Sequence, residues 1–422
     1  VIRAYKFLLR PTVGQQVALG EMLRDHCSLY NGALQERRDA WRHVSKTSLT
    51  YGRQSAQLRD LRAFDPERQG RWSFSSQQAT LRRPDKAFAA FFRRVKSGDT
   101  PGYPRFRGVN WFDTVDFPKD GDGCRWDSTP HDPATRVRFQ GVGHVKVHQH
   151  RPVAGKVKTL SVKREGKRWY VVLTAEQDKP EPLPATGAVV GIDLGLASFL
   201  ITSDGEHVPN PRHGRTAAAK LEAAQQALSR FPRHKAKNRT ANHRRAVEKV
   251  AKLHGKVRRQ RLDHAHKTAL DLVRAHDVIA HEDLTIRNMV RAPAPKPAPG
   301  TPGGFLPNGA AAKAGLNKSI HDAGWGVSLT ILYAKAESAG REVIAVDPRN
   351  TSRTCPACGH VSAENRPTQE KFHRAACGHT AHADTVGAIN VLRAGLIRRE
   401  APPAQREAPS SMRGRSHGYP AP

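Results

Sequence analysis

Apolar and polar positions alternate over residues 2–9, which predicts a strand. Pro11 and Gly14 interrupt it. Val17, Leu19, Leu23, Cys27, Tyr30 and Leu34 then recur at helical spacing, and helix is expected in pieces to about residue 97. In its last part, residues 81–96, Ala87, Phe88, Phe91, Phe92 and Val95 form an apolar stripe that reads as core rather than as a base-stacking platform. Between residues 103 and about 178 the pattern changes to short alternating runs such as Val145-Lys146-Val147 and Leu160-Ser161-Val162, separated by Gly and Pro. This predicts antiparallel sheet, a small barrel that takes in the N-terminal strand. KPEPLP at 179–184 reads as a linker.

Residues 188–204, AVVGIDLGLASFLITSDG with its flanks, predict a buried strand, a tight turn and a second strand. Residues 212–276 predict two long basic helices with a break near Pro232, and residues 277–282 another strand. The tract APAPKPAPGTPG at 292–303 is expected as a flexible loop. One helix is expected over 319–339, a strand over 342–346, and a last helix from near Asp384 with Val386, Ile389, Leu392 and Leu396 on one face. The tail 398–422, rich in Arg, Pro and Ser, is expected to be disordered. Strands interleaved with helices, and no internal repeat, make this an α/β multidomain chain.

A length of 422 residues supports two to four domains at roughly 100–200 residues each. Lys and Arg number 70 against 38 Asp and Glu, a net charge of +32. Such an excess opposes compaction unless a polyanion neutralises it, so nucleic acid is the expected partner. A membrane surface would favour one short basic amphipathic segment, whereas here the charge runs along the chain. It is densest in residues 212–276, with 18 Lys and Arg against four Asp and Glu. Arg244, Arg245, Lys249, Lys252 and Lys256 are the candidate phosphate contacts. No stretch nears the ~20 apolar residues of a membrane span, and the opening VIRAYKFLLRPT lacks the apolar core of a secretory leader. The expected setting is the bacterial cytoplasm, at the nucleoid when bound to DNA, with no membrane partner.

Three acids stand where a metal site would want them. Asp193 ends an apolar strand in GIDLG, Glu282 ends a second in VIAHEDL, and Asp384 opens a helix in AHADTVGAINVL. Gly191 and Gly195 leave room beside the first for a ligand or for backbone. Carboxylates at strand ends are rigidly held and supply hard oxygen ligands for magnesium or manganese, and a pair of such ions serves phosphodiester cleavage. A strand-terminal acid alone is more often a cap. The order strand-Asp, strand-Glu, helix-Asp in so basic a chain fits an RNase H-like nuclease core.

Five cysteines exclude a disulfide scaffold, and three of them cluster late. Cys355 and Cys358 form a C-x-x-C knuckle, and Cys377 belongs to a second knuckle whose other ligand position is Arg374. A zinc ribbon needs four ligands. The expectation is zinc on Cys355, Cys358, Cys377 and a nearby histidine, His373 or His379, with His382 a further candidate. The competing reading is a ribbon that keeps its fold with a weakened site. Cys27 and Cys124 read as ordinary thiols.

The motifs YKFLLRPT, RPDKAFAAFFRRVKSGDTPGYPRF, VGIDLGLASFLITSDG, IAHEDLTIRNMV, LNKSIHDAGW, VDPRNTSRTCPACGH and CGHTAHADTVGAINVL together resemble the TnpB family of insertion sequences and the related miniature type V CRISPR effectors. The resemblance covers about residues 4–396. It implies an RNA-guided DNA endonuclease with one RuvC site made by Asp193, Glu282 and Asp384, a guide RNA and target double-stranded DNA as partners, and cutting next to a short adjacent motif. It further implies a β-barrel wedge from residues 1–10 and 100–183, interrupted by a helical recognition domain at 11–99. The RuvC core would occupy 184–347 and 381–397, with a zinc-ribbon-like target-nucleic-acid-binding insert at 348–380. Arg374 and His382 depart from the family pattern, at the third ribbon cysteine and at an acid two residues before Asp384. A nuclease-inactive RNA-guided DNA binder is the alternative, and the three retained acids argue against it. A strand transferase lacks a Tyr or Ser nucleophile in a recognisable setting. Transposon-encoded and CRISPR-associated members share this core, so the sequence does not separate them.

Overall fold

The computed structural model describes residues 1–44, 46–232, 238–300, 303–374 and 376–401, in two compact units, Val1–Lys179 and Pro180–Pro422. The expected tail, beyond residue 401, lies outside the described residues. The chain is a mixed α/β multidomain protein.

In the first unit, strand β1 (Ile2–Arg10) is followed by helices α1 (Val13–Arg42), α2 (Tyr51–Phe64) and α3 (Phe74–Lys96). Thr12 and Gln15 close a reciprocal capping box at the start of α1, because a helix start leaves its first amides without partners. Strands β2 (Thr114–Phe117), β3 (Cys124–Arg125), β4 (Arg136–Phe139), β5 (Gly143–His148), β6 (Lys156–Glu165) and β7 (Arg168–Glu176) complete an antiparallel sheet in the order β2-β6-β7-β1-β5-β4-β3. Its curl is near a barrel. The sequence expectation that the N-terminal strand joins this sheet holds, with Ile2 opposite Glu176 and Leu9 opposite Val147. Alternate residues Tyr5, Phe7 and Leu9 point into a core with Phe117, Phe139, Leu160 and Val171, while Leu19, Met22 and Leu23 of α1 cover it.

The apolar stripe of α3 departs from expectation in part. Phe92 is 56% and Val95 51% exposed, and Ala87, Phe88 and Phe91 are half-buried. Phe88 packs against the core, and both Phe88 and Phe91 meet Tyr103 edge-on, at 5.6 and 5.5 Å. The helix outruns the sheet that covers its first half, where Thr80 and Leu81 are buried.

In the second unit, β8 (Val189–Asp193), β9 (Ser198–Thr202) and β10 (His207–Pro209) form a meander, followed by helices α4 (His213–Ser229) and α5 (Ala241–Ala275). Then come β11 (Val278–Glu282), α6 (Ile286–Met289), β12 (Lys296–Pro297), β13 (Phe305–Leu306), α7 (Ala310–Ala323), α8 (Trp325–Ala339) and β14 (Glu342–Val346). Two short strands, β15 (Lys371–His373) and β16 (Thr380–His382), precede the closing helix α9 (Ala383–Glu400). The main sheet has the order β10-β9-β8-β11-β14, and β8, β11 and β14 run parallel. One face packs Val190, Ile192 and Ile279 against Leu272 of α5 and Leu329 and Leu332 of α8. The other packs Val278, Ala280 and Ile344 against Val391 of α9. No helix among the described residues is long and apolar enough to cross a membrane.

Two sequence expectations change here. The helix expected over 319–339 is two helices, because Gly324 takes a left-handed conformation (φ +72°) and ends α7 as it starts α8. The tract 292–303 is not all loop, since Lys296 pairs with Leu306 in the small β12–β13 hairpin.

Candidate active site and cysteine cluster

Strand periodicity delivers two of the acids to one side. Val278 and Ala280 face α9, so Glu282, two residues on, leaves the sheet on the same face. On β8, Val190 and Ile192 face the other helices, which turns Gly191 and Asp193 toward α9. Ile192 pairs with His281 in the parallel register, so the next residues along, Asp193 and Glu282, end neighbouring strands. Asp384 lies in the first turn of α9, whose N-cap is His382: its Nδ1 accepts from the Asp384 amide at 3.3 Å. The histidine that departs from the family pattern thus has a structural task. Of the two glycines beside Asp193, Gly191 makes room for backbone, because a Cβ there would collide with the Ala388 carbonyl.

The electrostatics couple Asp193 to the other two acids. Burial, then the charges of Glu282 and Asp384, push the Asp193 carboxyl up to about 7. Burial also raises Glu282, opposed by a hydrogen bond from the Thr351 hydroxyl at 2.6 Å and by Arg366. Arg366 donates to Asp384 at 2.8 Å and to the Gln369 carbonyl at 2.7 Å. Carboxylates are the hard oxygen donors that suit a divalent ion, although among the described residues these three do not form a group with all ligand atoms within 4.8 Å of one another, as the cysteines do.

Sequence reasoning missed Arg366, Thr351 and Asn390. Asn390 of α9 donates to the carbonyls of Thr351 and Thr354 at 2.7 and 2.8 Å, fastening the cysteine-bearing segment to the helix that carries Asp384. In a chain with 70 Lys and Arg, no periodicity singles out one arginine.

Cys355, Cys358 and Cys377 have their sulfurs within 4.8 Å of one another, a soft donor set that suits zinc. Among the described residues no histidine joins this group. His373 is exposed and its Nδ1 meets the Thr380 hydroxyl at 3.2 Å, while His379 lies edge-on to Phe372 at 6.0 Å. Cys27 and Cys124 are buried thiols of the first unit.

Arg244, Arg245, Lys249, Lys252 and Lys256 are all exposed along α5. The last four fall at steps of four, three and four, one stripe of the helix, flanked in sequence by the buried His243 and Val257.

The OrfB_IS605 family profile, described as a probable transposase, matches residues 172–292. The Cas12f1-like TNB domain matches residues 325–391. Two relatives carry the name "Putative RNA-guided DNA endonuclease". InsQ of Escherichia coli (strain K12) is 31% identical over 400 residues, 93% of this chain and 92% of its own. The Streptomyces pristinaespiralis protein is 31% identical over 405 residues, 94% and 90% of the two chains. A solved Cas12f1–sgRNA–target DNA complex shares the fold, with a TM-score of 0.52 and 12% identity over 89% of this chain and 82% of that one. Identity of this order over nine-tenths of both chains is decisive, and the chain belongs to the TnpB (OrfB_IS605) family of RNA-guided DNA endonucleases, related to Cas12f.

Proposed function

We propose that this protein is an RNA-guided DNA endonuclease that cuts phosphodiester bonds at one RuvC-type site formed by Asp193, Glu282 and Asp384. The observation that carries the reading is that Asp193 and Glu282 end neighbouring parallel strands on the face covered by α9, whose first turn holds Asp384. On this reading the five-stranded sheet with helices on both faces is the RNase H-like core, over 184–347 and 381–397. The near-barrel sheet is the wedge, α1 to α3 the recognition insert, and residues 348–380 the target-nucleic-acid-binding insert.

The three carboxylates would hold magnesium or manganese. Two such ions, when bound, supply an activated water and charge neutralisation at the leaving oxygen. The chain's own residues do the rest. Thr351 fixes the rotamer of Glu282 through its hydroxyl, and Arg366 holds a guanidinium beside Asp384, where it can bond to a phosphate oxygen. Guide RNA pairing with target double-stranded DNA supplies sequence specificity, and the α5 stripe supplies phosphate contacts without sequence preference.

The test is a paired measurement on Asp193→Ala. Loss of a metal ligand lowers cleavage by several orders of magnitude, while guide-dependent DNA binding persists because it rests on distributed charge and base pairing. Cleavage near the wild-type rate overturns the assignment. Binding without cleavage by the wild-type protein in magnesium or manganese favours the nuclease-inactive alternative.

A further inference from the structure

The two knuckles of the cysteine cluster share one backbone geometry. In the first, the Cys355 amide donates to the His360 carbonyl and the Gly359 amide to the Cys355 carbonyl, both at 2.9 Å. In the second, the Arg374 amide donates to the His379 carbonyl and the Gly378 amide to the Arg374 carbonyl, again both at 2.9 Å. Gly359 and Gly378 close the two turns in the left-handed region, at φ +75° and +69°. Superposing the turns in register puts Cys377 on Cys358 and Arg374 on Cys355. Arg374 therefore stands at the fourth corner of a site whose other three corners are thiols.

An arginine cannot ligate zinc: the guanidinium stays protonated and has no lone pair to give. Its Nε is nonetheless buried with no hydrogen-bond partner. A buried donor is costly to leave unpaired, so this one has bonding capacity left for a group bound in the corner. Among the described residues no histidine nitrogen lies within ligand distance of the three sulfurs: His373 turns to the Thr380 hydroxyl, and His379, whose Nε2 is also buried without a hydrogen-bond partner, packs edge-on to Phe372. Charge points the same way. Three thiolates around a divalent zinc leave one negative charge, which one guanidinium cancels.

We propose that Cys355, Cys358 and Cys377 bind one zinc whose fourth ligand is an exchangeable water, or a small donor that replaces it, held by Arg374. Three protein ligands and an open position give a zinc able to exchange that ligand, unlike a closed four-cysteine site. The inference rests on zinc binding by the cluster and not on the nuclease reading, so its test makes no use of cleavage.

The experiment loads the full-length protein with cobalt(II) in place of zinc and titrates it with imidazole, following the visible d–d bands. Wild type is expected to bind one ion at the cluster and to shift its bands saturably with imidazole. Arg374→Cys is expected to lose that response and to hold zinc more tightly against a chelator, by about tenfold or more, the scale on which even a supporting partner alters metal affinity. A wild-type spectrum indifferent to imidazole overturns the proposal, as does a wild-type spectrum altered by His373→Ala or His379→Ala, since a protein ligand then fills the corner. Failure of wild type to bind cobalt or zinc at equimolar concentration overturns it as well. The wild-type titration decides even if Arg374→Cys does not fold.

Discussion

Replacing Asp193 with Asn is expected to stabilise the metal-free protein while abolishing cleavage. The carboxyl titrates at about 7 in the folded chain because burial and two neighbouring acids oppose its charge, against 3.8 for an unperturbed Asp. A folded-state value raised above the unfolded one means that, as pH rises, the unfolded chain gives up the proton first. Stability is therefore whole below pH ~3.8, falls between ~3.8 and ~7, and stays low above that. Three pK units at ~1.4 kcal/mol each make the full cost about 4 kcal/mol at pH 8, but only about 1.6 kcal/mol at pH 5. Asn keeps the shape and never ionises, so it recovers that cost. For a unit of this size the gain is a rise in Tm of roughly 10 °C at pH 8. The assay is calorimetric melting of wild type and Asp193→Asn in EDTA from pH 5 to 8. Magnesium should then narrow the gap by stabilising wild type alone, by about 2.7 kcal/mol at a hundred times its Kd. A variant no more stable than wild type at pH 8, or a gap that does not shrink toward pH 5, refutes the reasoning.

Changing Arg245, Lys249, Lys252 and Lys256 together to Ala should weaken binding to any nucleic-acid sequence alike and reduce the slope of log K against log salt by roughly one unit for each phosphate no longer neutralised; an unchanged slope means the stripe is only solvated. Gly191→Ala should cost about 2–3 kcal/mol and depress cleavage, because its Cβ meets the Ala388 carbonyl and lies 2.7 Å from the Leu392 amide. Gly14→Ala, with nothing within 4 Å, is the control and should melt as wild type or slightly above it.

Most of the secondary structure is legible in the sequence because strand and helix periods differ, and the strands ending in Asp193 and Glu282 carry short apolar runs bounded by turn residues. What fails shares a cause. Periodicity says that a helix has an apolar face, not that anything covers it, so the stripe reads as core throughout although the core reaches Phe88 and leaves Phe92 and Val95 exposed. A single Gly324 inside an apolar pattern reads as tolerable until its left-handed conformation is known. Arg366 depends on contacts between segments, which no local window contains, whereas the corner position of Arg374 is readable from the knuckle spacing. The side of the sheet on which two acids emerge is, by contrast, a local property. It follows from counting residues back along each strand.

The segment between the two sites explains why cysteine cluster and acids come together in one unit. The first knuckle is tied by the Cys355 amide to the His360 carbonyl, and the buried Asn365 donates to that same carbonyl at 3.0 Å and to the Arg353 carbonyl at 2.8 Å. Asn365 is fully enclosed, so the direction in which the chain leaves it is fixed, and the next residue is Arg366. Arg366 then ends on Asp384. On the other side of the knuckle, Thr351 ends on Glu282, and Asn390 holds the Thr351 and Thr354 carbonyls against α9. Two acids are thus gripped from opposite ends of one small knuckle-bearing segment, while the third, Asp193, is set by its strand. A metal in the cluster would stiffen the segment that aims Arg366 and Thr351, because thiolate ligation removes the freedom of both knuckles at once. The cysteines therefore bear on the acid site through position, with no shared ligand required.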